Sequence, residues 1–362
     1  MYKYYFIGIL ILIMSCRATY DKEVLINNNL QSFRLDSLKK VEERNNYIDS
    51  IFNYVSSKNN IKLYSHFINS FPNSNKINIA KKSRKKLFFD KEKVLESNLN
   101  IDSLLEINAC DLHIGKIGID GDDYSIDIAR QRMIDALQHL VKRASGFYIN
   151  QILFVVGNDF LNSDGDWPVP STTKGTPQFN TDKHIDTYRA GRKLIIECVE
   201  MLSEIAPVHI DVIPGNHDRE SMMHIGDALE MFYENNGNVT VNNDMRMMKA
   251  YHYGKCLIVN DHGDGPKLND LPGIVSQRYR NVWSEVRHVE VHRGHYHTNK
   301  SYKMQAVEEL NGLTVRNLSS MTATDEWHDM KGYVGNIKKA SAFVWNKYNG
   351  VQAKLNYNVP IN

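Results

Sequence analysis

Between about residues 105 and 300, apolar runs of strand character repeatedly end on clusters of Asp, Asn and His. The clusters are Asp111-Leu112-His113, Gly157-Asn158-Asp159-Phe160-Leu161-Asn162, Gly215-Asn216-His217-Asp218, Asp261-His262-Gly263 and Gly294-His295-Tyr296-His297. Such residues have little value in a core, so the fold has to collect them somewhere useful. An open α/β sheet does this by placing its functional loops beyond the carboxyl ends of strands.

The flanking pattern agrees with that class. Leu104 to Cys110, Ile152 to Val156 and Val208 to Ile213 read as strands. Ser125 to Ala144 reads as a helix with Ile126, Met133, Leu137 and Leu140 on one stripe, and Tyr188 to Ile205 as a second helix. Further strands are expected over Cys256–Val259, Val286–Val291, Thr314–Leu318 and Ala342–Trp345. Apolar residues make up 42% of the chain, enough to bury a core.

The residue types point to metal binding. In Asp-x-His and His-x-His, the two side chains lie on one side of an extended segment and can grip one ion or two adjacent ions. Neighbouring glycines let the backbone approach closely. Carboxylate, imidazole and amide oxygen form a mixed O/N set that suits Mn, Fe or Zn better than calcium. Cys16, Cys110, Cys198 and Cys256 form no C-x-x-C pair, so a thiolate zinc site is not expected, and Cys110, Cys198 and Cys256 read as core residues.

Charge is unevenly distributed. Residues 1–100 carry 17 Lys+Arg against 9 Asp+Glu, and residues 101–362 carry 27 against 33. The second part is mildly acidic, unlike a surface built to grip long duplex DNA. Before it lie two different regions. Lys3 and the apolar stretch Phe6 to Met14 lead into Ile13-Met14-Ser15-Cys16, which looks like a bacterial lipoprotein signal over residues 1–16 with lipid on Cys16. This implies a membrane-anchored envelope protein, the alternative being cytoplasmic. Residues 17–100 read as a helical, tetratricopeptide-like appendage. Ile48, Ile51, Phe52 and Val55 form one helical stripe, and Leu63, Phe67 and Ile68 another, before the turn Phe71-Pro72-Asn73-Ser74. One hairpin cannot bury its own face, so it is expected to pack elsewhere. Lys81, Lys82, Arg84, Lys85 and Lys86 read as a solvated basic face.

Taken together, the five clusters resemble the calcineurin-like metallophosphoesterase superfamily, whose pattern runs Asp-x-His, Gly-Asp-x-x-Asp/Asn, Gly-Asn-His-Asp/Glu, His and Gly-His-x-His. A closer likeness is to phage-associated, SbcD-like (exonuclease-like) members, through Asp111 to Lys116, Gly157 to Asp164, Lys174 to Gln178, and Thr324 to His328 leading to Lys331 to Gly335. The second block departs by one residue, and Asp159 rather than Asn158 aligns as the bridging carboxylate.

The resemblance implies an α/β fold, a four-layer α/β/β/α sandwich, over residues 101–362. It implies two divalent ions, Mn2+ foremost with Fe, Zn or Ni as alternatives. Asp111, His113 and His297 would hold one ion, Asn216, His262 and His295 the other, and Asp159 would bridge them. His217 would be general acid or transition-state stabiliser, oriented by Asn162, with Asp218 supporting the loop. Arg219 would contact phosphate or pair with a carboxylate. Trp327 and His328, like the Lys174–Gln178 loop, would contact substrate or simply pack. The activity implied is a phosphodiesterase or nuclease acting through metal-activated hydroxide on nucleic acid, single-stranded or short, or on nucleotides. The alternatives are a phosphomonoesterase or nucleotide pyrophosphatase of the envelope, and a non-catalytic docking scaffold.

Overall fold

A computed structural model describes residues 41–58, 61–88, 102–119, 122–295, 307–324 and 337–360. The signal-like start with Cys16, and also His297, Trp327, His328 and the Lys331–Gly335 run, lie outside the described residues. The chain divides into two units, one to Phe88 and one from Phe89.

The first unit contains α1 (Val41–Lys58), α2 (Ile61–Ser70) and α3 (Ile77–Phe88). Where the sequence suggested a hairpin, a third helix is present. Ala80 of α3 joins Ile48, Phe52, Val55, Tyr64, Phe67, Ile68 and Phe71 in a core of the unit's own, with the Phe52 and Phe67 rings edge to face at 5.2 Å. Ser74 turns the chain between α2 and α3, its hydroxyl accepting from Lys76 N at 3.1 Å. The basic stretch of α3 is not one solvated face. Arg84 is buried and donates to Ser65 Oγ at 3.3 Å, leaving Lys81, Lys82 and Lys86 exposed.

The second unit is α/β with two mixed sheets. In the first, β1 (Ser103–Asn108), β2 (Ile149–Gly157), β3 (Val208–Ile213) and β4 (Val239–Asn242) run parallel, and β10 (Lys339–Asn346) and β11 (Gly350–Asn358) extend it antiparallel in the order β11-β10-β1-β2-β3-β4. The crossovers between the parallel strands are α4 (Ile126–Arg143), α5 (His184–Ser203) and α6 (Arg219–Tyr233). Ser125 caps α4 by accepting from Ile128 N at 3.2 Å, as expected of a serine at that position. In the second sheet, β6 (Cys256–Asp261), β7 (His288–Arg293) and β9 (Leu313–Asn317) run parallel, with β5 (Lys249–Tyr253) and β8 (Val307–Leu310) antiparallel at the edges. Two short helices, α7 (Leu271–Arg278) and α8 (Arg280–Trp283), connect β6 to β7.

The sheets pack face to face. Leu104, Leu153, Val155, Ile213, Phe343 and Trp345 of the first meet Tyr253, Cys256 and Ile258 of the second. The outer face of the second sheet buries Leu257, Val259, Val289, Val291 and Val315 against Leu271 and Val275 of α7. Strands buried on both sides favour apolar residues at successive positions, which is why β1, β2, β3 and β6 are mostly apolar, with Glu106 of β1 and Asp211 of β3 among the buried charged exceptions.

Polar links also cross between the sheets. Asn108 Nδ2 donates to Asn260 Oδ1 at 2.7 Å. His292 of β7 lies between Glu106 of β1 (Nδ1 to Oε1, 2.7 Å) and Glu290 (Nε2 to Oε2, 3.1 Å), with Trp345 Nε1 donating to Glu106 Oε2 at 2.9 Å. Arg316 pairs with both carboxylate oxygens of Glu290.

Candidate metal centre

The five strands that precede the polar clusters (β1, β2, β3, β6 and β7) all belong to the parallel parts of the two sheets. Parallel strands share a carboxyl edge. Asp111, Asp159 and Asn216 therefore collect at one edge of the first sheet, and His262 and His295 at one edge of the second. Face-to-face packing then brings the two groups together.

The loops continue the parallel pairing beyond the strands. Asp111 N donates to Asn158 O at 2.8 Å, His113 N to Asp159 O at 3.0 Å and Ile114 N to Phe160 O at 2.8 Å. Asn158 N reaches Ile213 O at 2.6 Å. Gly157 is required here: its φ is +96°, and an added Cβ would lie 2.1 Å from Ile213 O. Asp218 fastens the β2 and β3 loops from beneath, its buried carboxylate accepting from Phe160 N (2.6 Å), Leu161 N (3.1 Å) and Gly215 N (2.9 Å). Burial and the nearby Asp159 charge raise the Asp218 carboxyl to about 8, against the pull of the backbone donors at Gly215 and Leu161. Asp218 thus supports the loop as the sequence suggested and makes its contacts with backbone.

Two groups of ligand atoms converge, His113 with Asp159 and His217, and Asp159 with His262 and His295. Asp159 is common to both. Its Oδ1 accepts from His217 N at 2.7 Å, and its Oδ2 lies 3.0 Å from His262 Nε2 and 4.0 Å from His217 Nε2. Asn216 joins the second group, with Oδ1 2.9 Å from His262 Nε2. His295 Nδ1 is 3.2 Å from the same nitrogen. Asp111 stands beside both groups: its Oδ1 is 3.9 Å from His113 Nε2, and its carboxylate accepts from His295 N at 3.2 Å, linking the two sheets. Of the expected ligands, Asp111, His113, Asp159, Asn216, His262 and His295 are brought together, and His297 is not described.

Backbone conformation marks the same place. Among the described residues, the non-glycine residues at positive φ are Asp111, His113, Asn158, Asp159 and His295, with φ between 49° and 68°. Asp, Asn and His tolerate this region better than most residues, yet each still carries a conformational cost. Such strain persists only where the surroundings dictate it, and here it falls on the loops that carry the candidate ligands. It also corrects one expectation, because Asp111 and His113 are not on an extended segment. Positive φ at both residues coils it, and β1 itself spans Ser103–Asn108 rather than reaching Cys110.

The donor set fits metal ions. His262 Nε2 has Asn216 Oδ1, Asp159 Oδ2 and His295 Nδ1 all within 3.2 Å. One proton on that nitrogen serves one acceptor at a time, whereas a cation among the four atoms would serve all of them. His262 Nδ1 is buried without a hydrogen-bond partner among the described residues. The electrostatics reflect the same crowding. Burial disfavours the Asp159 anion, but His262 and His217 hold its carboxyl below the usual range. Burial also opposes charge on His262, yet Asp159 and Asp111 raise it to about 9. Burial and the neighbouring His262 lower His295. A site this buried stabilises separated charges only with compensation.

His217 is oriented by Asn162, but through its main chain. His217 Nδ1 lies 2.9 Å from Asn162 O, while the Asn162 side chain donates to Phe179 O (3.2 Å) and Asn180 Oδ1 (2.7 Å). A carbonyl can only accept, so Nδ1 carries a proton and Nε2 faces the centre. Arg219 begins α6 and pairs with Asp264, Nη2 to Oδ2 at 3.5 Å.

Two positioning features were not read from the sequence. Arg293 Nε donates to Asp261 Oδ1 at 2.7 Å in a buried pair, tying together the strand ends that carry His262 and His295. Asp264 lies two residues after His262, and an acidic residue so close to a ligand was the available signal. Compared with protein-family models and with curated proteins, the chain matches none.

Proposed function

We propose that this chain is a binuclear metal-dependent phosphoesterase of the calcineurin-like metallophosphoesterase type, acting as a phosphodiesterase on nucleotides or on short or single-stranded nucleic acid. The observation that carries this reading is Asp159. One buried carboxylate shared by two converging ligand groups is what a bridging position requires. The layering supports the same reading, since two face-to-face sheets with helices outside are the arrangement of the metallophosphoesterase sandwich.

His113 and Asp159 would hold one ion, Asp159, Asn216, His262 and His295 the other, with Asp111 beside both and His297 as a further ligand. Two divalent ions, manganese foremost, supply Lewis-acid charge for phosphoryl oxygens and acidify water. The chain's own residues do the rest. With Nδ1–H fixed on Asn162 O, His217 presents Nε2 to the centre, where a protonated nitrogen donates to the leaving oxygen. Arg219, held by Asp264 and partly exposed, offers a guanidinium to a non-bridging phosphate oxygen. Asp218 keeps the two loops in register. Lipid on Cys16 would anchor the enzyme to the envelope membrane.

The test is manganese-dependent hydrolysis by the purified protein, with Asp159→Asn as control. Bis-p-nitrophenyl phosphate and labelled single-stranded DNA are expected to be cleaved, and the variant is expected to be inactive. Cleavage of p-nitrophenyl phosphate alone would make the protein a phosphomonoesterase. Wild-type activity in the variant would refute the bridging assignment.

A further inference from the structure

Residues 164–181 are tied at several points to the loops around the candidate metal centre and to the start of α6. Thr173 N donates to Asn216 O at 2.9 Å, and Thr181 N to Gly115 O at 2.8 Å. Asp164 accepts from Thr173 Oγ1 (3.0 Å), Glu220 N (3.0 Å) and Ser221 N (2.9 Å), the last two at the start of α6. Asn180 Nδ2 donates to Ser163 Oγ at 2.7 Å, and Gln178 N to Pro170 O at 2.7 Å. The Asn162 residue that orients His217 through its carbonyl also holds Phe179 O through its amide.

This anchored loop nevertheless presents rings to solvent. Trp167 is 91% exposed and Phe179 72% exposed, with Val169 and Ile185 also exposed nearby in sequence. Neither ring serves the core. The Phe179 carbonyl is held by the same Asn162 that orients His217, so the exposure of its ring at that point calls for another account.

We propose that the loop is the base-binding face of the enzyme, with the Phe179 ring, assisted by Trp167, stacking on a nucleobase joined through its sugar to the phosphate held at the metal centre. The inference rests on the phosphodiesterase reading and names the group that its substrate carries. Continuity with the centre favours this occupant, because a ligand phosphate at Asn216 and His217 lies against the same loop. The loop's other side chains are suitable as well: exposed Thr173, Lys174 and Thr176 and half-buried Gln178 place donors and acceptors among the rings, which a base edge uses and a lipid chain does not. Aromatic stacking accepts any base, since each has a π-face.

The experiment compares thymidine 5′-(p-nitrophenyl phosphate) with methyl p-nitrophenyl phosphate on the manganese-loaded protein. The leaving group is the same, so the ratio of the two kcat/KM values isolates the nucleoside. Phe179→Ala is expected to lower that ratio about tenfold or more. Trp167→Ala should lower it less, and Phe179→Tyr should restore it. In parallel, calorimetry measures binding of thymidine 5′-monophosphate and of methyl phosphate to the same proteins. If neither ester is hydrolysed but the nucleotide binds and Phe179→Ala weakens it about tenfold, the stacking face stands and the hydrolytic reading fails. If both esters are hydrolysed and the ratio is unchanged in both alanine variants, the stacking face is refuted and the hydrolytic reading stands. Absence of both hydrolysis and nucleotide binding in the wild type would refute the proposal outright, as would a loop that binds a partner protein instead of nucleotide.

Discussion

The Glu106–His292–Glu290 cluster allows a quantitative prediction. His292 is fully buried between two carboxylates, with the Phe343 ring 4.2 Å from its own and Trp345 donating to Glu106. Burial alone would lower the imidazole, but Glu106 and then Glu290 raise it from 6.5 to about 9. A base whose folded-state pKa is raised contributes stability fully below its unfolded value, and this is lost as pH rises through the folded value. The window is therefore pH 6.5 to about 9. At about 1.4 kcal/mol per pH unit, the whole effect is about 3 kcal/mol. Glu106→Gln is the perturbation to make. The amide oxygen can still accept from Trp345 Nε1, and its NH2 can donate to a neutral His292 Nδ1, so packing is retained while the larger charge partner is lost. Lys249, lowered to about 8 chiefly by burial, works in the opposite direction between 8 and 10.5. The difference between wild type and variant therefore carries the test, rather than the slope of either. Urea denaturation at intervals from pH 6 to 9.5 should show the wild type ahead at pH 6 by at least about half of the full effect, with the gap narrowing towards pH 9. A gap that does not change with pH would refute the claim that His292 is held as an imidazolium.

Three further perturbations test the proposed metal centre and the proposed lipidation of Cys16. Gly215→Ala would place a Cβ 2.0 Å from Asp159 Oδ1 and 2.5 Å from Asp159 N. It should displace the bridging carboxylate, lower metal content measured by elemental analysis and cost about 1–3 kcal/mol of stability; wild-type metal content would contradict the assigned geometry. His217→Ala should reduce kcat by about 10²–10⁴ while both ions remain bound, and loss of one metal equivalent would make His217 a ligand of the His113–Asp159 group instead. Cys16→Ser should abolish labelling by a fatty-acid analogue in cells, and equal labelling of the two proteins would exclude lipidation at Cys16.

The element pattern was legible where local chemistry governs it. Strands buried on both faces are mostly apolar, so β1, β2, β3 and β6 could be read from their apolar runs despite Glu106, His209 and Asp211. The edge strands β4, β5, β8 and β11 could not, because exposure on one side dilutes the apolar signal. Helix α6 begins directly after the Asn216-His217-Asp218 cluster and was hidden by it. The third helix of the first unit was obscured by its lysines, and only packing shows that Arg84 points inward to Ser65.

For the centre, the sequence by itself determined which residues could bind metal and that each cluster follows a strand, since ligand chemistry and strand termination are both local properties. Tertiary structure decided their relations. Asp159 became common to two groups because two parallel edges face each other across the sheet interface. Asn162 came to orient His217 by its carbonyl because its side chain is engaged by Phe179 and Asn180. Glu106 met His292 across 186 residues of chain because β1 and β7 lie in opposing sheets. Contacts of that kind depend on which strands are neighbours, a property of the whole fold that no single stretch of sequence contains.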